Sequence, residues 1–116
     1  MKFNFDGKIF ASTLNSENGE VSKDTLFHYH QVGNIVTADY EGGSIVKGHL
    51  IAKVIGDGKL DTRYHHMNCD GEFMIGKCLS IPEIMEDGRI KLKEQWQWLS
   101  GDMSDGYSEI VEIDHV

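Results

Sequence analysis

Between Phe27 and Trp98 the sequence repeats one local pattern, a loop of three residues that ends in glycine. The pattern occurs at Glu41-Gly42-Gly43, Gly56-Asp57-Gly58, Cys69-Asp70-Gly71 and Glu86-Asp87-Gly88. The segments between these loops are rich in Val, Ile, Tyr and Trp, which are typical of β-strands. Glycine suits the last loop position because it has no Cβ and adopts positive φ without strain. The pattern therefore predicts antiparallel strands joined by tight hairpins.

The loop length also predicts which side chains share a face of the sheet, because side chains alternate along a strand. One face combines apolar and small residues, and the other carries charged residues and histidines. The tighter turn at Val32-Gly33-Asn34-Ile35 continues this arrangement. A face that stays apolar over consecutive hairpins indicates a curved, closed meander. The predicted pairs on this face are Tyr29–Ala38, Ala38–Val46, Val36–Gly48, Leu50–Tyr64, Val54–Leu60, Thr62–Cys78, Tyr64–Gly76, Cys78–Trp96, Gly76–Trp98 and Ile84–Ile90.

Both ends of the chain add further strands to this meander. Asp6-Gly7 between residues 2–5 and 8–13 is a strong signal for a two-residue hairpin. Further strands are predicted at 25–32, 34–40, 44–55, 59–68, 72–82, 89–99 and 106–113, with an open loop from Ser100 to Gly106 at a barrel mouth. About eight or nine strands in this order close a barrel that holds side chains or one small ligand. The sequence thus predicts an all-β fold, a single antiparallel up-and-down β-barrel of calycin type over residues 1–116.

Length and charge narrow the classes of function. A chain of 116 residues suits one domain with a single core. The net charge of −8 argues against nucleic acid and anionic membrane as partners, since both require a basic surface. No apolar run approaches the roughly 18 residues of a membrane helix, and no signal-peptide pattern is present. We therefore expect a cytoplasmic protein.

Glu94 is the first candidate functional residue. It shares the inward face with Trp96 and Trp98 and lies opposite Ser80 in the predicted register. A carboxylate inside a barrel must find hydrogen-bond donors, or its pKa rises. Two interpretations remain open: a group that anchors a ligand or transfers a proton, and a structural hydrogen-bond network. The other inward polar residues are Tyr29, Gln31, Tyr64 and His66, the last near a hairpin end where it could meet solvent.

The sequence pattern of the remaining reactive side chains indicates neither a metal site nor a cofactor site. His28, His30, His49 and His65 fall on the outward face, and the close pair His28 and His30 lacks a third ligand within reach. No glycine-rich phosphate loop, nucleophile elbow or Cys-x-x-Cys pair occurs. Cys69 lies in a hairpin tip and Cys78 faces the interior, so we expect no disulfide between them. Trp96 and Trp98 could stack on a flat ligand or could pack as core.

Short motifs along the chain form a characteristic set. They are Glu20-Val21-Ser22, Phe27-x-Tyr29-x-Gln31-x-Gly33, Tyr40-x-Gly42-Gly43, Gly48-x-Leu50-Ile51, Arg63-Tyr64-His65, Gly76-x-Cys78-x-Ser80-x-Pro82-Glu83, Glu94-x-Trp96-Gln97-Trp98 and Ser100-Gly101-Asp102. This set, over about residues 18 to 112, resembles a family of short bacterial proteins that often carry the name N-acetylglutamate synthase. Acetyl transfer from acetyl-CoA in its usual fold requires a mixed α/β scaffold with a phosphate loop, and the all-β pattern has neither. At the level of architecture the chain is also similar to calycin barrels such as lipocalins and fatty-acid-binding proteins, which implies no function by itself.

Three hypotheses of function follow. The preferred one is a barrel that binds a small, partly apolar molecule, with Glu94, Tyr29, Gln31 and Tyr64 as polar anchors and Trp96 and Trp98 as walls. The second is an enzyme of unassigned reaction that uses Glu94 as acid or base. The third is a barrel filled by its own side chains that forms a homodimer or binds another protein. An outward apolar row motivates the third, and its members are Phe73, Ile75, Leu79 and Ile81.

Overall fold

Eight antiparallel strands form the protein in a computed structural model, which describes residues 3–113. Each strand pairs with the next along the chain, and β1 pairs with β8, so the sheet closes into a barrel. The predicted all-β, up-and-down barrel is confirmed. The strands are β1 (Ile9–Asn15), β2 (Leu26–Val32), β3 (Ile35–Gly42), β4 (Ile45–Val54), β5 (Leu60–Asn68), β6 (Phe73–Ile84), β7 (Ile90–Trp98) and β8 (Asp105–Ile113).

Three of the four glycine-ended loops have the predicted length. The amide of Asn68 donates to the carbonyl of Glu72 across the loop at 69–71, at 3.0 Å. The loops at 56–58 and 86–88 close in the same way, and each of the three ends in a glycine with φ between +78° and +88°. Their register is confirmed as well: Tyr64 pairs with Gly76, and Cys78 pairs with Trp96.

The predicted register between β3 and β4 is wrong. Ala38 pairs with Leu50 rather than with Val46, and Val36 pairs with Ala52 rather than with Gly48. Strand β3 runs on through Gly42, and a bulge between Tyr40 and Gly42 takes up one residue. The observed register differs from the predicted one by four residues. Because this number is even, inward residues mostly stay inward. A second irregularity in β4 turns Val46 to the outside, where it is 49% exposed.

The predicted hairpin at the start of the chain is also wrong. Asp6-Gly7 forms a turn, with Gly7 at φ +73°, but residues 3–5 are not a strand, and Lys2 lies outside the described residues. The amide of Gly7 instead donates to the carbonyl of Tyr29 at 3.0 Å. Phe5 is 1% exposed and packs into the barrel. Burial of this ring outweighs strand pairing, and the segment plugs one end of the barrel, which we call the closed end.

Three aromatic rings inside the barrel lie across glycines of the adjacent strand. Tyr40 pairs with Gly48, Tyr64 with Gly76 and Trp96 with Gly106. A Cβ on any of these three glycines would overlap with the facing ring. Glycine therefore lets each ring lie flat against the neighbouring backbone, and the rings line the interior without filling it.

The outer surface carries the polar face that the alternation predicts. His28, His30, His49 and His65 are all exposed. Phe73 and Ile75 of the outward apolar row are 75% and 49% exposed, while Leu79 and Ile81 are half-buried. Association through this row stays a prediction. Among residues 3–113, no helix has the length and apolar character needed to cross a membrane.

Candidate functional site

The barrel interior divides into two unlike halves. The half next to the closed end is solid: its largest side chains are at most 1% exposed, and they are Phe5, Phe10, Tyr29, Val36, Leu60, Leu92 and Ile110. The other half holds a cavity of about 50 Å³, which has room for a few waters. Its lining is Asn15, Gly19, Glu20, Val21, Phe27, Tyr40, Leu50, Thr62, Tyr64, His66, Cys78, Glu94, Trp96, Trp98 and Ser108.

Glu94 presents a carboxylate to this cavity from β7. The hydroxyl of Ser80 on β6 donates to Oε2 at 2.9 Å, and that of Ser108 on β8 donates to Oε1 at 3.4 Å. Both serines are buried, whereas Glu94 keeps some accessible surface, which faces the cavity it lines. Burial raises the pKa of Glu94 to about 7, although the serine hydroxyls favour the ionised form. The carboxyl group thus changes charge near neutral pH.

Aromatic rings form the walls around this carboxylate. The ring centres of Trp96 and Trp98 are 5.5 Å apart, and those of Tyr64 and Trp98 are 5.9 Å apart in an edge-to-face arrangement. Thr62 on β5 adds a hydroxyl that is buried and has no hydrogen-bond partner among residues 3–113. A buried donor without a partner costs stability. The cavity therefore combines aromatic walls with the carboxylate of Glu94, and an unpartnered hydroxyl is buried in its lining.

A segment between β1 and β2, residues 16–25, covers the mouth of the cavity, and we call it the mouth loop. Its Glu20 side chain reaches His66 Nε2 at 2.7 Å and Asn68 Nδ2 at 3.0 Å. The Ser44 hydroxyl donates to the Glu20 carbonyl at 2.9 Å, and Trp98 Nε1 donates to the Asn18 carbonyl at 3.1 Å. The loop is thus attached by polar bonds, which water can replace, and by Val21, which packs against the apolar core.

His66 is buried beneath the mouth loop rather than exposed at a hairpin end, so that expectation is wrong. It is 2% exposed, and its Nδ1 lies 3.0 Å from the Tyr40 hydroxyl. Burial lowers the pKa of His66, opposed by the hydrogen bond and the charge of Glu20. A neutral ring that donates from Nε2 to Glu20 and accepts at Nδ1 from Tyr40 satisfies all these contacts. Strand patterning did not reveal this because the covering residues come from a loop.

The structure brings together four of the six predicted ligand-binding residues: Tyr64, Glu94, Trp96 and Trp98 all line the cavity. Tyr29 lies outside the lining, packed 4.8 Å from Phe10 between ring centres. Burial, reinforced by the charge of Glu94, raises the pKa of Tyr29.

Gln31 lies at the closed end, outside the cavity lining. Its Oε1 accepts from the amide of Phe5 at 3.0 Å, and its Nε2 donates to the carbonyl of Gly33 at 3.0 Å. One polar end of this side chain therefore holds the segment that plugs the barrel, and the other bonds to the turn between β2 and β3.

Sequence reasoning missed Asn15, Glu20 and Ser108 of the lining, and it did not identify Thr62 as a hydroxyl without a partner among residues 3–113. Ser108 pairs with Glu94 across β7 and β8. The register of this hairpin could have identified Ser108, but the long connection between the two strands leaves the register open. Glu20 lies in a loop, where no periodicity indicates which side chains point inward.

The outer histidines and the two cysteines are further reactive side chains among residues 3–113. No group of three or more His, Cys, Asp or Glu side chains suited to a metal ion occurs within residues 3–113. His49 instead contacts Asp39, with 2.9 Å between Nδ1 and the carboxylate. Cys69 and Cys78 are both free thiols, the first exposed and the second buried.

Comparison with known proteins identifies the family. No curated protein matches the sequence. A family model described as avidin-like protein matches residues 3–113. The match does not bear on the name N-acetylglutamate synthase. Because it covers nearly all of the 116 residues and agrees with the closed eight-stranded barrel, the chain belongs to the avidin-like protein family.

Proposed function

We propose that the protein binds a small, partly apolar molecule in its interior cavity. Glu94 and Tyr64 are the polar anchors and Trp96 and Trp98 are the walls. The family supports this proposal, since avidin-like proteins bind small ligands such as biotin. Tyr29 and Gln31 lie outside the lining, so we leave them out of the proposed contacts.

The observation that carries the proposal is the carboxylate of Glu94, which lines a cavity together with Tyr64, Trp96 and Trp98. The Thr62 hydroxyl in the same lining is buried without a partner among residues 3–113. A barrel that only needed to fold could fill this space with apolar side chains, as the closed end does. Polar groups kept in a buried, partly empty space cost stability. Such groups are typical of binding sites, where they orient a ligand within a mostly apolar pocket.

We propose that the mouth loop moves when a ligand binds. The cavity of about 50 Å³ holds only a few waters. Residues 16–25 cover its mouth, so a ligand of ten or more atoms gains room when they shift outward. When the loop lifts, water can replace the hydrogen bonds that Ser44 and Trp98 donate to its carbonyl groups.

The two tryptophans provide a direct test, because both line the cavity and the chain contains no other Trp. We expect compounds that bind in the interior to shift both indole N–H signals in nuclear magnetic resonance spectra. A Trp96→Leu variant should weaken binding, whereas the exposed Phe73→Leu should bind as wild type. The proposal would be contradicted by compounds that bind and shift only signals of residues on the outer surface of the barrel, with both indole signals unchanged.

A second candidate function is proton transfer by Glu94 in an enzyme of unassigned reaction. It is favoured by the pKa of about 7, since a general acid or base works best near the operating pH. Glu94→Gln separates the two: lost turnover with unchanged ligand binding indicates an enzyme. Weakened binding of a ligand that is never converted supports the binding protein.

A further inference from the structure

We propose that the ligand is a small organic cation, an amine or guanidine in its protonated form, whose charged nitrogen contacts Glu94. This inference rests on the proposed function, because it names the chemical class that the interior cavity selects.

The charges around the cavity support a cation. Two carboxylates line it, Glu94 inside and Glu20 at the mouth, and no Lys or Arg is among the lining residues within the described part of the chain. Glu94 also has no salt-bridge partner among residues 3–113. An ionised carboxylate in a buried site requires a compensating charge. A cationic ligand would supply the charge that the protein lacks here.

The other titratable groups near Glu94 cannot supply that charge. Those that interact with it are Tyr29 on β2, Tyr40 on β3, Tyr64 on β5 and Cys78 on β6. Each is neutral or negative in every protonation state, and burial raises the pKa of all four. The imidazole of His66, which lies further toward the mouth, already donates to Glu20. Residues 3–113 therefore supply no positive group close to Glu94, and we infer that the ligand supplies it.

The walls suit a cation as well as a flat ring. Cations are attracted to the faces of Trp and Tyr within about 6 Å of the ring centre. Tyr64, Trp96 and Trp98 line the same cavity as Glu94. Their ring centres lie close together, 5.5 Å apart for Trp96 and Trp98 and 5.9 Å apart for Tyr64 and Trp98. An alkylated or aryl-substituted cation fits this site, because the carboxylate matches its charge and the aromatic rings match its apolar substituent. An anionic group placed beside Glu94 would be repelled by its carboxylate, so any anionic part of a ligand should lie away from this residue.

A neutral ligand with N–H donors is the main alternative, because a carboxylate accepts hydrogen bonds from amides as well. Phenylguanidine and phenylurea have nearly the same shape and donors, and they differ in charge. Glu94 also provides a second readout. Near pH 6.5 part of the Glu94 population is protonated, so a cation that favours the ionised form should release protons on binding. Phenylurea should release none.

The test is calorimetric titration of the full chain with both compounds at pH 6.5 and pH 8, in two buffers of different ionisation enthalpy. We expect phenylguanidine to bind about 10-fold or more tightly than phenylurea at pH 8. We expect proton release at pH 6.5 for phenylguanidine alone. Glu94→Gln should abolish both the preference and the proton release. The control Glu83→Gln, which removes a carboxylate on the outer surface, should retain both.

The outcomes separate the two proposals. If phenylurea shifts both indole signals and binds as tightly as phenylguanidine, or if Glu94→Gln keeps the preference for the cation, the cation inference is overturned and interior binding stands. If neither compound shifts the indole signals of a protein that is otherwise folded, both the cation inference and interior binding of ligands of this size are overturned.

Discussion

The two halves of this barrel are built from the same strands and differ in what the strands place inside. At the closed end, Phe10, Leu92 and Ile110 are 0% exposed and leave no space. At the other end, Glu94 and Tyr64 keep accessible surface that faces a cavity. One half is filled with apolar volume, and the other combines rings, glycines and polar groups.

This difference indicates how stability and function are divided along the barrel axis. Apolar burial at the closed end stabilises the fold. At the mouth, Gly48, Gly76 and Gly106 let rings lie flat, which leaves room in the middle. Substitutions at the closed end should therefore affect folding most, and those at the mouth should affect binding and the pH dependence of stability.

The largest effect is expected from Phe10→Ala, since Phe10 is fully buried at the closed end. Truncation of a buried Phe costs about 3–5 kcal/mol in the free energy of unfolding. The control Phe73→Ala removes a ring that is 75% exposed and should change this free energy by about 0.5 kcal/mol or less. Urea denaturation measures both. Equal losses in the two variants would show that the closed end is not the stabilising half.

The next largest effect is the contribution of Glu94 to the pH dependence of the free energy of unfolding. Its pKa is raised from 4.5 to about 7 in the folded protein, so the folded state binds the extra proton between these values. Stability contributed by the neutral carboxyl is therefore present at low pH and is lost as pH rises toward 7, by about 3 kcal/mol at most. Glu94→Gln should lack this decline and should exceed wild-type stability at pH 8.

Unfolding in urea at pH 5, 6, 7 and 8 checks this prediction. His66 contributes the opposite slope, because its lowered pKa costs stability as pH falls below its ordinary value of 6.5. This contribution is common to wild type and Glu94→Gln, so the difference between the two isolates Glu94. Parallel curves for both proteins would contradict the assignment of a raised pKa to this carboxyl group.

A smaller loss is expected from Gly76→Ala at the mouth half. The added Cβ would overlap with the Tyr64 ring, and overpacking of this kind costs about 1–3 kcal/mol. Gly56→Ala is the control, since no atom lies within 4 Å of its Cβ position. In a Tyr64→Leu background the cost of Gly76→Ala should shrink. A cost that stays the same in both backgrounds would show that the ring does not require this glycine.

The smallest effect on stability is expected from Thr62→Val, which removes the hydroxyl without a partner in residues 3–113. Because no hydrogen bond is lost, the free energy of unfolding should stay equal or rise by about 1 kcal/mol. Ser80→Ala is the matched change, since it removes a donor to Glu94 and should destabilise. A large loss in Thr62→Val would mean that this hydroxyl is bonded in solution.

Much of the fold could be predicted from the sequence, because the loop motifs and the alternation of apolar and polar residues along a strand are local signals. The loop at 69–71 sets the pairing of Tyr64 with Gly76, and that register is correct. The error between β3 and β4 arose because Glu41-Gly42-Gly43 resembles the other loops, yet Gly42 belongs to the strand. A Cβ on Gly42 would overlap with the backbone of Asp24, a contact between segments that no local pattern contains.

The site was predictable only where it lies on strands. Alternation placed Glu94, Trp96 and Trp98 on one inward face, and Ser80 opposite Glu94 is confirmed as its hydrogen-bond donor. Alternation did not distinguish the two ends of the barrel, so Gln31 was grouped with residues it does not approach. Glu20 could not be predicted, because its position depends on how the mouth loop folds over His66.

The two free thiols allow the most direct test of the central claim, that ligands occupy the mouth half of the interior. Cys78 lines the cavity, and Cys69 is exposed in a hairpin loop. Each thiol can be labelled alone with methyl methanethiosulfonate in urea, where the thiol of Cys78 is accessible, in a variant that carries serine at the other position, and the protein is then refolded. We predict that label on Cys78 abolishes binding of any compound that shifts the indole signals, and that label on Cys69 leaves its affinity unchanged. Equal affinity in the two labelled, folded proteins would contradict this account.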